Sequence, residues 1–420
     1  MHETNPLRAT GHGLTNETIQ RAIDSKAKAG GGVVEVPAGE YWLHDAVHLR
    51  TGVHVKGEPG TIFRKVPSVR SPIVDFLGYG HYEITVAEPE KFRVGMGIHV
   101  MDNAAMGFYT TVATIVGIEG ERLFLDRMLN HDYTPDAEAV AISVFSLVEA
   151  DRTTDAGIES VCLDGTSGKE TFQLNGCRGA GVFIYQSRRI TVQDVEVRNY
   201  RGDGISFQQN TDIIVKNCNV HHNVGGGIHP GSGTVRYELD NNHIHDNGAC
   251  GIFYCLRTTH SLCTNNVVEN NGQAGISVGE RDTDHVLSGN TIRNNQGPGI
   301  LFREPRRRGG DRVLIADNTI ARNCWKDGTA ELEIAAGLHR IQVKENDFSP
   351  ANHAAISLAE GCTDIFIENN RVSGHALQPP DIAGRYDLAT FSSPTDFPPV
   401  GPSALPEDGA RHLNIRNTNQ

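Results

Sequence analysis

Positive charge is scarce in this 420-residue chain: 38 lysines and arginines face 51 aspartates and glutamates, for a formal net charge of -13. An acidic whole repels a phosphate backbone, which argues against a nucleic-acid partner. No apolar run approaches the ~20 residues of a membrane-spanning helix, so no membrane partner is expected. The opening "MHETNPLRAT" lacks the apolar core of a secretory leader. The expectation is a cytoplasmic protein, or a secreted one with its leader removed. Aromatics make up 6% against 46 glycines, which suits a soluble, elongated domain better than a helical one. The eight cysteines include no Cys-x-x-Cys and no clustered Cys/His spacing, so nothing points to zinc. Cys162, Cys218 and Cys263 sit within strand patterns and read as free thiols packed as small hydrophobes.

What the chain has in abundance is self-similarity. Gly-Val or Gly-Ile opens a unit at 181, 204, 227, 251, 275 and 299, a period of 23 or 24 residues. Each unit reads as three short strands, as in "GISFQQ", "DIIVKNC" and "NVHHN", with apolar and polar residues alternating and Gly or Asn at the turns. Such a unit buries its apolar face only when neighbours stack on it, and it is too short for paired helices. Asparagine gives an independent count: Asn242, Asn266, Asn290, Asn318, Asn346 and Asn370 recur at 24, 24, 28, 28 and 24 residues, and Asn223, Asn247, Asn271 and Asn295 at 24. Stacked at a turn, these side chains can bond from coil to coil and tolerate left-handed backbone. The predicted fold is all-β, a right-handed parallel β-helix. The longer steps place loop insertions at "REPRRRGGD" and "NCWKDGT".

Residues 1–79 read as an N-terminal cap helix and first coils. Ile19, Ala22, Ile23 and Ala27 form an apolar helical stripe that Gly30 to Gly32 stops, fit to cover the open end of the core. Residues 80–150 break the period and read as a small inserted β-subdomain, either walling a cleft or purely stabilising. The main β-helix follows over 151–374. Residues 375–420 read as an irregular Pro-rich tail with "RHLNIRN" as a last strand.

Residues in one column of adjacent coils lie about 4.8 Å apart, so groups distant in sequence are placed by counting. With the Ile of Gly-Ile inward, the outward columns are Phe183, Ser206, His229, Phe253, Ser277 and Leu301, then Tyr185, Gln208, Gly231, Cys255, Gly279 and Arg303. Rings that stack on sugars beside groups that bond hydroxyls suit a sugar-binding groove, although a bare exposed strand face would read alike. Glu280 and Arg281 lie just beyond, one coil from Glu304 and Arg257. Stacking puts Glu280 and Glu304 roughly 5 Å apart, as in retaining glycosidases; the plainer alternative is surface carboxylates neutralised by arginines. A third column, Arg198, His221, His245, Glu269 and Arg293, reads as solvated turn residues, since no carboxylate of clear geometry joins its imidazoles.

The stretch "AIDSKAKAGGGVVEVPAGEY" resembles the start of pectate-lyase-like β-helix proteins. The segments "LDGTSGKETFQLNG", "ITVQDVEVRNYRGDGI" and "HDNGACGI" resemble, over about two and a half coils, the catalytic modules of mannuronan C5-epimerases and related alginate-active enzymes. That family's lysine after the Thr-Ser-Gly turn corresponds to Lys169. Its Tyr-Gly-Phe-Asp-Pro-His strand corresponds to "DGISFQ", where Asp203 stands for the tyrosine, Ser206 for the aspartate and Gln208 for the histidine. The resemblance implies the scaffold and the lysine, and leaves the family's catalytic pair without a counterpart. A match to polygalacturonases fails, because "NTD" at Asn210 to Asp212 is not followed by their paired aspartates and Gly-His-Gly.

The leading expectation is a carbohydrate-active enzyme working on an oligo- or polysaccharide, with a lyase or epimerase-like reaction on a uronate ahead of hydrolysis. Removing the C5 proton of a uronate needs a group to neutralise the carboxylate, a base and, for a lyase, an acid. Lys169 or Arg281 neutralises and His229 is the base; no tyrosine is placed as acid, since Tyr254 falls in the inward column. The hydrolase alternative uses Glu280, Glu304 or Asp203. The catalytic candidates are thus Lys169, Asp203, His229, Glu280 and Arg281; those for substrate binding are Tyr185, Ser206, Gln208, Phe253, Arg257, Arg303 and Glu304. A non-catalytic glycan-binding or adhesion solenoid is the third reading. No cofactor is expected; a calcium-assisted variant would need clustered carboxylates where only Asp203 lies near. A homo-oligomer such as a trimer is compatible with a solenoid.

Overall fold

The computed structural model describes residues 15–384 apart from 77, 105–106, 167–172 and 378–380. The tail expected from 375 therefore lies mostly outside the described residues. The chain forms a right-handed parallel β-solenoid with three sheets, here called A, B and C, of 12, 11 and 11 strands. One turn runs from Ile205–Gln208 in sheet C through Thr211–Lys216 in sheet B to Asn219–His221 in sheet A. Register is in step from coil to coil: Ile205 pairs with Ile228, Ile228 with Ile252, Ile252 with Ile276 and Ile276 with Ile300. These isoleucines are all 0% exposed and form one continuous interior stack. Burying each contributes ~1.5–3 kcal/mol, which offsets the entropy of ordering a short unit that would not fold alone.

The glycine opening each unit is required by close approach rather than by its dihedral angles. A Cβ on Gly251 would strike the Val268 side chain and lie 2.7 Å from the Gly275 carbonyl oxygen and 2.9 Å from Asn271 Nδ2. Both expected asparagine ladders form. Asn266 Nδ2, for example, donates to Asn290 Oδ1 at 3.0 Å and to the Leu239 carbonyl at 2.8 Å, while its Oδ1 accepts from the backbone and side chain of Asn242. The left-handed residues are the neighbours that precede the ladder positions: Asn241, Asn265 and Asn270 have φ of 53°, 56° and 57°. The ladder side chains thus bond inward while their predecessors turn the corner.

Helix α1 (Asn16–Lys28) packs Ile19 and Ile23, each 0% exposed, against the first coils, with Ala22 and Ala27 beside them. All eight cysteines are free; Cys218 and Cys263 are buried and Cys162 half-buried. No helix among the described residues is long and apolar enough to cross a membrane. The loops 303–310 and 322–329 leave the coils where the two 28-residue steps fall.

The inserted subdomain is a six-stranded antiparallel sheet in the order Arg70–Pro72, Val140–Ile142, Gly97–Met101, Thr111–Glu119, Arg122–Leu125 and Glu83–Thr85. Its strands begin at Arg70 and end at Ile142, whereas 80 and 150 were expected. Val148–Asp151 is a rung of sheet C, paired with Val182–Tyr185, which its apolar run alone did not distinguish from an insert strand. The strand Gly97–Met101 is buried on both faces. Ile98 and Val100 enter the subdomain's own core, while Met101 joins the solenoid core. The intervening face, bearing Gly97, His99 and Met101, therefore presses on the solenoid.

Candidate active site

Asp203 ends the turn that leads into strand Ile205–Gln208, and His229 pairs with Ser206 one coil along. The Asp203 carboxylate accepts the Gly226 N–H at 2.7 Å through Oδ1 and meets His229 Nδ1 at 2.7 Å through Oδ2. A Cβ on Gly176 would overlap both side chains, so glycine there lets the loop backbone lie against the pair. His229 is 6% exposed and its Nε2 has no protein partner. Burial opposes protonation of this ring, but the Asp203 bond, with a contribution from Cys255, outweighs it and raises the pKa to about 9. A ring so raised holds its proton at neutral pH and suits a donor better than the expected base.

His229 opens into a cavity of about 520 Å³ bounded by Asn175 and Gly176 of the loop, His99, Met101 and Thr110 of the insert, and Phe253 of sheet C. His99 is 1% exposed, and neither of its ring nitrogens has a protein partner. Burial alone lowers its pKa to about 4, so it is a neutral imidazole. Two histidines with pKa values shifted in opposite directions thus line one cavity, with His99 Nδ1 and Nε2 and His229 Nε2 buried at its wall. His99 escaped the column count because it belongs to the insert; the alternation of "GIHVMD" shows which face it shares but not what that face meets.

Across the Gly176 loop a second cavity of about 610 Å³ is lined by Tyr82, Arg127, Arg152, Arg178, Phe183 and Tyr185, among others. Phe183 and Tyr185 stack with centroids 6.2 Å apart and planes at 8°. The two cavities lie on the outward face of sheet C, with insert residues bounding both.

The other candidates divide sharply. Ser206 and Gln208 point outward yet are 0% and 1% exposed, because the Gly176 loop covers them. Ser206 Oγ donates to the Gly176 carbonyl at 2.5 Å and accepts from Gln208 Nε2 at 2.9 Å. They anchor the loop and do not line the cavity. Phe253 lines it, edge-on to His229 at 5.2 Å. Arg303 lies over the Phe253 ring at 4.2 Å and donates to Ser277 Oγ and the Tyr254 carbonyl.

Glu280 and Glu304 are not brought together in either cavity. Past Phe302 the chain leaves the coil, so counting by columns ends there. The Glu280 carboxylate accepts the Arg306 N–H at 2.8 Å and the Arg307 N–H at 3.3 Å, with Arg281 Nε 3.6 Å away. Desolvation opposes ionisation, but these backbone donors hold the carboxyl below its usual range, which suits a loop clamp and not a general acid. Glu304 and Arg257 are exposed. Arg257 and Arg281 are left-handed turn residues, with φ of 63° and 60°, and line neither cavity. Lys169 lies outside the described residues. Asp203 is the carboxylate among the described residues lining the 520 Å³ cavity, far short of the six to eight oxygens that calcium takes.

A parallel β-helix with a histidine-lined cavity on its outward face is the class of protein that fold and site define. Residues 161–307 match the family profile of the right handed beta helix region. No curated protein matches the chain by sequence. Among solved structures it is similar to the A-modules of mannuronan C-5 epimerases AlgE4 and AlgE6 of Azotobacter vinelandii. The AlgE4 module is 16% identical with a TM-score of 0.56, and the AlgE6 module 17% with 0.54; each comparison covers 93% of this chain and 98% of the module. The Dettilon tailspike protein is also similar, at 14% identity and a TM-score of 0.54, over 88% of this chain and 67% of that one. These likenesses show the fold.

Proposed function

We propose that the protein is a carbohydrate-active enzyme that opens or inverts a uronate unit of a polysaccharide laid along the outward face of sheet C. The observation that carries this reading is that His229, bonded to Asp203, and His99 line one cavity, with Asp203 raising the pKa of the first and burial lowering that of the second. Neutral His99 takes the C5 proton, and imidazolium His229, held by Asp203, pairs with the substrate carboxylate or serves as the acid. In elimination the electron pair left at C5 forms the C4=C5 double bond, the C4–O bond breaks, and His229 protonates the departing oxygen. In epimerisation a proton returns to C5 from the opposite face instead. Arg178, beside the stacked Phe183 and Tyr185, suits a neighbouring acidic sugar, while Arg127 and Arg152 in the same wall are paired with Glu149 and Asp151. The mannuronan named in the similar A-modules agrees with a uronate polymer.

A panel of uronate polymers, read by ultraviolet absorbance of the unsaturated product and by mass, tests this. Elimination gives absorbance, epimerisation gives neither absorbance nor shortening but altered C5 stereochemistry by NMR, and both are lost in His99→Gln. Reducing ends without absorbance would move the assignment to hydrolysis. The aromatic and arginine-lined cavity also favours a second reading, a glycan-binding solenoid, for which saturable binding with no product is the expected result.

A further inference from the structure

On sheet A, away from both cavities, consecutive coils stack His221 on His245 with ring centroids 4.7 Å apart and planes at 8°. The next residue of each coil, His222 and Asp246, occupies the equivalent left-handed corner, with φ of 56° and 53°. The carboxylate missing from the stacked-histidine column is therefore supplied by the adjacent corner column. One donor atom from each of His222, His245 and Asp246 lies within 4.8 Å of the others.

The hydrogen bonds around these rings leave ring nitrogens available to a metal ion. Glu196 Oε1 only accepts, so His221 Nε2, 3.1 Å away, carries a proton. In the neutral ring Nδ1 is then an acceptor, and it takes the proton of His222 Nδ1 at 2.8 Å. That leaves His222 Nε2 as a bare lone pair. The same logic applies to His245, whose Nε2 faces Asn219 Oδ1 at 3.0 Å and so donates to it. Its Nδ1 lies 2.7 Å from Asp246 Oδ2, a contact that either a proton or a metal ion can bridge.

We infer that His222, His245 and Asp246 form a binding site for a divalent transition ion of the zinc type, with solvent completing a tetrahedron. Two imidazoles and one carboxylate are a donor set that zinc takes at about 2.0–2.2 Å, which sets ligand atoms roughly 3.3 Å apart. His222 and Asp246 are exposed, so their side chains can turn to close from the present separations without disturbing the coils. The second imidazole of each stack holds the ligand rings in place: His221 orients His222, and His243, stacked on His245 at 4.1 Å, is tied to Glu269 at 2.9 Å.

Calorimetric titration of the chelator-treated full chain with zinc chloride tests the site. One saturable zinc per chain is expected, with affinity falling at least tenfold in His222→Ala and in Asp246→Ala and unchanged in His54→Ala, an exposed histidine of sheet B outside the cluster. Because both altered side chains are exposed, the metal-free unfolding midpoints should match the parent; a variant whose midpoint drops is replaced by His222→Gln or Asp246→Asn. No saturable binding by the parent, or parental affinity in either ligand variant, overturns the inference.

Discussion

At the scale of single residues, a histidine's surroundings decide its protonation, and the sequence shows only part of them. Counting columns brought His229 to the groove, because its coil is regular and its register with Ser206 is set by stacked isoleucines. Counting said nothing of Asp203 Oδ2 beneath its Nδ1, which fixes the ring as a proton donor. It also failed for Glu280 and Glu304, since their separation depends on a loop with no period. The acid–base reading predicts a bell-shaped kcat/KM profile. Activity rises as His99 loses its proton, with a pKa of about 4, and falls as His229 loses its own at about 9. In Asp203→Asn the carboxylate that raises the His229 value is gone while burial remains, so the alkaline limb moves down by several pH units and the acid limb stays. At neutral pH the rate should fall by about 10²- to 10⁴-fold. An alkaline limb unmoved in this variant, measured on the same polymer, would remove His229 from the reaction.

At the scale of elements, two devices hold the groove's walls. The asparagine ladder was legible, since its spacing alone brings the amides into contact, and its energetic weight can be measured. Asn266→Ala leaves the Leu239 carbonyl and the Asn242 and Asn290 side chains short of partners in a region that water does not reach. An unsatisfied buried group costs about 1–3 kcal/mol, so a loss of about 3 kcal/mol is expected, seen as a lower urea midpoint with unchanged far-ultraviolet circular dichroism. The stitch between insert and solenoid was not legible, because its members are scattered. Glu149 meets His48 Nδ1 at 3.0 Å and Arg127 NH2 at 3.0 Å, while Asp45 accepts Thr114 Oγ1 at 2.7 Å and contacts His48 at 3.4 Å. Burial opposes the charge on both central groups. The carboxylates nevertheless raise His48 from 6.5 to about 10, and His48 with Arg127 lowers Glu149 from 4.5 to about 2. The Glu149 contribution is complete above about 4.5 and lost as pH falls through about 2; that of His48 is complete below about 6.5 and lost as pH rises through about 10. The stitch is therefore strongest from about pH 4.5 to 6.5. Glu149→Gln should cost about 3 kcal/mol, the lower end for a broken buried pair because Arg127 is partly exposed. Thermal unfolding of the variant should also lose much of the parent's pH dependence over that range's flanks.

At the scale of the whole molecule, the repeat made the solenoid legible because a 23- or 24-residue unit has one way to bury an apolar stripe, by stacking on its like. The insert obeys no period, and its docking on sheet C depends on long-range fit, such as that of Gly97 against Phe145, which no local pattern encodes. The same stacking logic makes the first coil a special case, because the coil at the start has a neighbour on one side only. Its exposed interior and unpaired strand edge would template another chain, and α1 prevents this by placing Ile19 and Ile23 on the apolar end. Since the helix packs chiefly on these first strands, its removal should leave the later coils intact while opening the edge. Ile23→Asp forces a carboxylate into that contact, which expels the helix more surely than truncating the side chain would. The expected outcome is concentration-dependent association by light scattering, with circular dichroism that keeps its β signature. An Ile23→Asp protein that stays monodisperse at the concentrations where the parent does would show that the end of the core needs no cover.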